Sequence, residues 1–270
     1  MKASEKELIF NLLKNASAVA NGGFVPSAFA NQPIFEDDGG NLAPESQPAI
    51  GAAADATSLA QSAPSAVVLS SQSDVSPLTI ESIASKIIKC THCQLARTRT
   101  NVVPGEGVPH PDVLVIGEGP GYDEDMQGRP FVGKAGILLD KMLAAINLDR
   151  KTNCFIANIV KCRPPQNRDP FPEEQEACFS FLEAQIKILK PKMILCMGRI
   201  SAHKMLNSEE AIGKLRGQFF EFSGIPLMAT YHPSALLRNQ DLKRPAWEDL
   251  KKFRQKLDSL TANSPSGGNQ

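Results

Sequence analysis

No apolar run in this chain approaches the ~18–20 residues that a membrane-spanning helix needs, so the sequence offers no candidate span and no membrane partner. It does not open like an exported protein either. In "MKASEKELIFNLLKN" the acids Glu5 and Glu7 offset Lys2 and Lys6, and Asn11 and Lys14 interrupt the apolar run that a secretory signal requires. There is no internal repeat, and the formal net charge is +0. Histidines number four, so imidazole chemistry has few places to reside. These absences point to a reducing, cytoplasmic setting. There, 6 cysteines argue for metal binding or catalysis more than for disulfides.

The zero net charge hides an asymmetry. Residues 1–77 carry 3 Lys and Arg against 8 Asp and Glu, a net of −5, while residues 78–270 carry 26 against 21, a net of +5. An acidic extension on a mildly basic body is compatible with a phosphate-backbone partner for the body. Residues 16–77, with "GGNLAPESQPAIGAAADATS", are rich in Ala, Ser, Pro, Gly, Asn and Gln. Such a segment buries too little apolar surface to offset its ordering entropy, and is expected to be a disordered linker. Ahead of it, residues 4–15 read as a short amphipathic helix with Leu8, Ile9, Leu12 and Leu13 on one face, a docking helix for an unknown protein partner. A loose helix without a role is the competing reading, since short isolated helices are marginal in water. Residues 261–270 are expected to form a loose tail, which leaves 78–260 as one catalytic or binding domain.

Within that domain helices alternate with strands. Ile80, Ile83, Ala84, Ile87 and Ile88 have helical spacing. "DVLVIG" (112–117), "CFIANIV" (154–160) and "PKMILCMG" (191–198) read as buried strands, and "GQFFEF" and "IPLMATYHP" as two more around a Ser223–Gly224 turn. Helices are expected over 133–147, 171–190, 199–206 and "LKRPAWEDLKKFRQKL". This alternation implies a parallel sheet covered on both faces. Ligands of such sheets sit at the carboxyl ends of the strands. The unusual residues fall there: "GEGPG", "KCRPPQNR", "MGR" and "YHPS".

"CTHC" (90–93) places Cys90 and Cys93 three apart, and Cys162 and Cys178 flank the loop "RPPQNRDPFPEEQEA". The four thiolates could close a tetrahedral zinc site or a cubane iron–sulfur cluster, and spacing does not separate the two. Cys154 and Cys196 lie inside apolar strands and read as core.

"GEGPGYDEDMQGRPFVGKAG" (117–136), "NIVKCRPPQNRDPFPEEQEAC" (158–178) and "YHPSALLR" (231–238), behind the CTHC pair, resemble the family 4 uracil-DNA glycosylases over roughly residues 80–255. The resemblance implies a three-layer α/β/α sandwich around a four-stranded, mainly parallel sheet. It implies a structural [4Fe–4S] cluster on Cys90, Cys93, Cys162 and Cys178, and no nucleotide cofactor. It also implies removal of uracil from single- or double-stranded DNA by hydrolysis of the N-glycosidic bond, by a monomer.

That reaction needs the base everted into a pocket that reads its Watson–Crick edge. Phe131 is the expected stacking face. The Asn158 amide can donate to O4 of uracil and accept from N3–H, a pattern cytosine reverses. His232 as a neutral imidazole can donate to the leaving group. In better-known glycosylase families the first loop carries a water-activating Asp or Asn; here Gly119 stands in that place, within the uracil-binding loop. Glu118 is then the first candidate for holding water, Glu124 the second and Asn167 the third. Glu124 has a second reading as a wall against the thymine methyl, and a run such as "DED" (123–125) is otherwise a solvated loop. Arg163 and Arg168 are expected at phosphates. Ser234, Leu236 and Arg238 of "HPSALLR" are expected at DNA, with Leu236 or Leu237 as an apolar wedge.

Two other function classes compete. One is a non-catalytic iron–sulfur DNA-binding module of the same fold, which the joint presence of Phe131, Asn158 and His232 disfavours. The other takes "GEGPG" as a nucleotide-phosphate loop. Its neighbouring acids would repel phosphate, and the next helix is expected a dozen residues on. A covalent-trapping variant would need an extra basic loop and a nucleophilic His after the second strand, which "KCRPPQNRDPF" lacks.

Overall fold

The computed structural model describes residues 78–262. The amphipathic segment 4–15, the linker and residues 263–270 lie outside the described residues. No helix among the described residues is long and apolar enough to cross a membrane.

Among the described residues eight α-helices and six strands follow in order, besides three short 3-10 turns: α1 (Ile80–Ile88), β1 (Glu106–Gly107), β2 (Val113–Gly117), α2 (Tyr122–Gln127), α3 (Lys134–Ala144), β3 (Cys154–Asn158), α4 (Pro172–Leu189), β4 (Met193–Met197), α5 (Arg199–Leu206), α6 (Ile212–Leu215), β5 (Phe219–Phe222), β6 (Ile225–Thr230), α7 (Pro233–Arg238) and α8 (Lys243–Ala262). They form one six-stranded sheet in the order β1-β3-β2-β4-β6-β5. The four inner strands are parallel, Val115 pairing with Ile156 on one side and Leu195 on the other. The expected four-stranded sheet is thus present, and two antiparallel edge strands extend it. The edge strand β1 has two residues, too few for any periodic pattern to reveal.

Every residue of β2, β3 and β4 is buried, as continuous apolar runs require when helices cover both faces. Alternation then sorts their side chains. Val113, Val115, Ile156 and Leu195 pack with α3 and α8, through Leu139, Met142, Leu250 and Phe253. Leu114, Ile116, Ala157 and Ile194 pack with α4 and α5, through Leu182, Ile186 and Ala202. Cys154 and Cys196 sit in these two layers as fully buried thiols. Helix α4 begins at Pro172, whose missing N–H would have no partner in a first turn. Helix α8 runs to Ala262, two residues into the expected tail.

Two local expectations are corrected. The "DED" run is not a solvated loop but the first turn of α2, which starts directly after the "GEGPG" turn rather than a dozen residues on. Asp125 is buried there because its carboxylate accepts the amides of Thr100 (2.9 Å) and Asn101 (3.2 Å). The segment 159–160 leaves the sheet at Asn158, and its amides instead donate to the carbonyls of Gly117 and Glu118. This cross-link ties the two loops that follow β2 and β3.

Gly136, in the first turn of α3, touches the backbone of Phe131: a Cβ built there would lie 2.0 Å from the Phe131 carbonyl carbon and oxygen. Gly136→Ala is therefore expected to cost about 1–3 kcal/mol, the range for overpacking a close contact. Denaturant unfolding would check this, and an unchanged midpoint would show that the loop yields freely.

Candidate functional site

A cavity of about 500 Å³ opens at the carboxyl edge of the sheet, between the loops after β2, β3, β4 and β6. Glu118, Gly119, Glu124, Phe131, Asn158, Asn167, Arg168, His232, Ser234 and Arg238 all line it. Here the loops after β2 part from those of β3 and β4 on either side, the crevice where open α/β sheets bind ligands.

Phe131 has a positive φ of 51°, a costly backbone state for a bulky residue. Neighbouring groups hold it from both sides. Arg150, itself buried, donates to the carbonyl oxygens of Pro130 (2.8 Å) and Phe131 (2.9 Å). The Glu124 carboxylate accepts the amides of Val132 (2.9 Å) and Gly133 (3.0 Å), and that of Gly121 (3.1 Å). Glu124 thus spends its oxygens on backbone donors and acts as a bolt between α2 and the Phe131 loop. The ring it fixes lies 5.5 Å from the His232 ring, centroid to centroid.

Asn158, the last residue of β3, is buried, and its Oδ1 has no hydrogen-bond partner. A Cβ on Gly117 would come within 2.4 Å of that oxygen and 2.6 Å of the Phe131 ring. The glycine ending β2 therefore makes room for both side chains. A buried acceptor left unpaired costs about 1–3 kcal/mol, so its persistence calls for a functional explanation.

His232 caps α7, and its Nδ1 accepts the Ser234 amide (3.1 Å) beside the Ser234 hydroxyl (2.8 Å). A nitrogen that accepts an amide proton carries none itself, so the neutral ring bears its proton on Nε2. Burial, with help from Arg238, pushes its pKa down to about 4. Glu118 moves the other way. Burial and the nearby Asp169 raise it to about 7, against the pull of Arg199. No side-chain hydrogen bond engages Glu118 among the described residues, which leaves its carboxyl free to meet a ligand or water.

The remaining expected contacts divide. Asn167, exposed and with φ of 56°, accepts from Arg163 Nε at 2.8 Å. Arg168 is clasped by both oxygens of Glu174 (2.8 and 2.7 Å). Leu236 is not a wedge: it is 2% exposed, in the core layer with Trp247 and Leu250, and Leu237 packs against the same layer. Leu236, with Pro233, is the face by which this short helix docks on the core, while Leu237 stays partly exposed. Arg150, Gly136 and Lys161 escaped the sequence reading. "LDRK" and "GKAG" hold no pattern that ties them to Phe131, and Lys161 looks like one more cation.

A second, smaller cavity is lined by Cys90, Cys93, Cys162 and Cys178 together, with His92 and Arg99. N–H donors point at the sulfurs: Arg99 Nη1 at Cys162 (2.9 Å), the Lys161 amide at Cys178 (3.3 Å) and the His92 amide at Cys90 (3.5 Å). Donors of this kind suit thiolates that ligate a metal. The two cavities are linked. Lys161, fully buried, donates from Nζ to the Asn158 carbonyl (2.9 Å) and to Gln185 (2.7 Å).

Residues 104–251 match the model of the uracil DNA glycosylase superfamily, more than half of the chain. The chain belongs to that superfamily. Within it the similarity is to type-4 uracil-DNA glycosylases. That of Sulfurisphaera tokodaii is 43% identical over 66% of this chain and 84% of its own length. That of Archaeoglobus fulgidus is 40% identical over 65% and 92%, and that of Thermotoga maritima 44% identical over 64% and 92%. The family match runs from β1 into the first half of α8, so the cavity at the sheet edge lies wholly inside it. Cys90 and Cys93 precede it and reach the other two cysteines only through the fold.

The histidine geometry is open to direct measurement. In ¹⁵N-labelled protein the His232 ring is expected to stay neutral at pH 6, with its proton on Nε2, and to titrate only near 4. A ring that charges close to 6.5, the ordinary value, would contradict the burial argument.

Proposed function

We propose that the protein is a monofunctional uracil-DNA glycosylase that everts uracil from DNA and hydrolyses its N-glycosidic bond, leaving an abasic site. The observation that carries the reading is the unpaired Asn158 Oδ1 in one cavity with the neutral His232 ring and the fixed Phe131 ring. Uracil N3–H supplies the donor that Oδ1 lacks, and O4 accepts from the Asn158 amide. Cytosine has no proton on N3 and donates from N4, so it would leave Oδ1 unpaired and set two donors together. Phe131 stacks on the base. As the bond breaks, negative charge gathers on the leaving uracil, and the Nε2–H of His232 donates to its O2. A ring that resists protonation stabilises this charge as a hydrogen-bond donor and not as an acid. Glu118 holds the attacking water and takes up its proton when ionised.

Cys90, Cys93, Cys162 and Cys178 would hold a [4Fe–4S] cluster. All four line one cavity. An all-cysteine set suits either zinc or an iron–sulfur cluster, and the similarity to type-4 uracil-DNA glycosylases favours the cluster. When bound, such a group supplies no step of this hydrolysis; it braces the 90–93 segment against the loop that carries Arg163 and Arg168.

A uracil-containing oligonucleotide is expected to yield abasic sites without added nucleotide, and Asn158→Ala or His232→Ala to cut the rate by about 10²-fold or more. Wild-type rates in both variants would remove the assignment. The Glu118 shift sets the pH dependence. Ionised Glu118 is the active form, so activity should rise about tenfold per pH unit below 7, level off above it, and lose this limb in Glu118→Gln. A rate that falls as pH rises through 7 would make Glu118 an acid instead. Purified protein should absorb near ~400 nm and contain iron, with both lost in Cys162→Ser; zinc in place of iron would overturn the cluster.

A further inference from the structure

We infer that Tyr122 of α2 and Phe171, each backed by an arginine of the 163–171 loop, are stacking platforms for the bases flanking the everted nucleotide in single-stranded DNA, an inference that rests on the excision reading only for where that nucleotide lies. Tyr122 and Phe171 are 58% and 54% exposed. Each has a guanidinium from this loop on one face: Arg163 lies 5.1 Å from the Tyr122 centroid, and Arg168 3.7 Å from that of Phe171. Among the described residues neither ring has an aromatic partner or a second cation against it.

The arginines are themselves held, which makes the platforms rigid. Arg163 donates to Asn167, and Arg168 is clasped bidentately by Glu174. The Glu174 clasp neutralises Arg168, so that guanidinium serves as a flat backing for the ring more than as a phosphate anchor. Asn167 and Arg168 also line the cavity, and Gly121, next to Tyr122, does too. A strand whose nucleotide enters the cavity must run over this rim, and its neighbouring bases meet the two rings. Leu236 is buried and so is not available at the flanking position. Stacking of this sort is tolerant of sequence and needs bases free of a partner strand, which fits single-stranded DNA.

The test compares the full-length protein with Tyr122→Ala and Phe171→Ala, using a short fluorescent single strand without uracil. Each variant is expected to bind about tenfold more weakly, with an unaltered dependence on salt, while Phe171→Trp binds as wild type. Strands carrying abasic nucleotides beside the uracil should lose the same factor with wild type and nothing further with the alanine variants, the non-additivity of a direct contact. Thermal unfolding establishes that each variant is folded; if one is not, the abasic-flanked strands on wild type decide alone. Unchanged binding by folded variants, as expected if the rings instead dock a protein, would overturn the inference, and so would additive losses. Excision without ring-dependent binding would leave the function standing and the platforms refuted. Ring-dependent binding without excision would do the reverse.

Discussion

The candidate site depends on a clamp around residues 130–133. Phe131 holds a left-handed backbone that its side chain disfavours, and its ring would not stay in place without restraint. Arg150 takes the two carbonyls before the bend and Glu124 the two amides after it. Both are charge-assisted hydrogen bonds, roughly twice as strong as neutral ones, and together they outweigh the strain. Gly136 and Gly117 complete the arrangement by leaving space where any side chain would collide with the Phe131 backbone or ring. The cavity wall is thus set by groups that touch no base.

One environment produces opposite effects on Glu118 and His232, two of the titratable groups that face the cavity. Burial disfavours charge whatever its sign. It lowers the pKa of His232, whose charged form is a cation, and raises that of Glu118, whose charged form is an anion. The imidazole stays a neutral donor, and the carboxyl is poised where a proton can be exchanged near neutrality. Ser234 completes the first effect by occupying Nδ1, which directs the remaining proton to Nε2.

The cysteine cavity and the sheet-edge cavity share a wall. The Lys161 amide addresses Cys178, while the Lys161 side chain reaches the Asn158 carbonyl and Gln185, which in turn donates to Pro104 (2.8 Å). A buried ammonium is tolerated only with partners of this kind. The residue that looks like a surface cation in "NIVKC" is in fact a buried strut between the cysteine cavity and the backbone of Asn158.

Much of this was legible in the chain. Buried parallel strands leave continuous apolar runs, so β2, β3 and β4 could be placed to within two residues, and the loops after them marked as the site. Asn158 and His232 stood out because an amide and an imidazole follow apolar strands there, whereas Phe131 was picked out only through the resemblance of its motif to the glycosylase family. Four cysteines in a reducing setting implied a shared group. What the sequence could not determine was contact at a distance: that Glu124 bonds to amides eight and nine residues away, that Arg150 reaches back to Phe131, that Leu236 turns inward and that the arginines of the 163–171 loop lie on aromatic rings. Local periodicity reports which face of an element is buried, because that depends on neighbours in the chain. It carries no information on which partner meets a polar side chain, because that is settled only when separate elements pack.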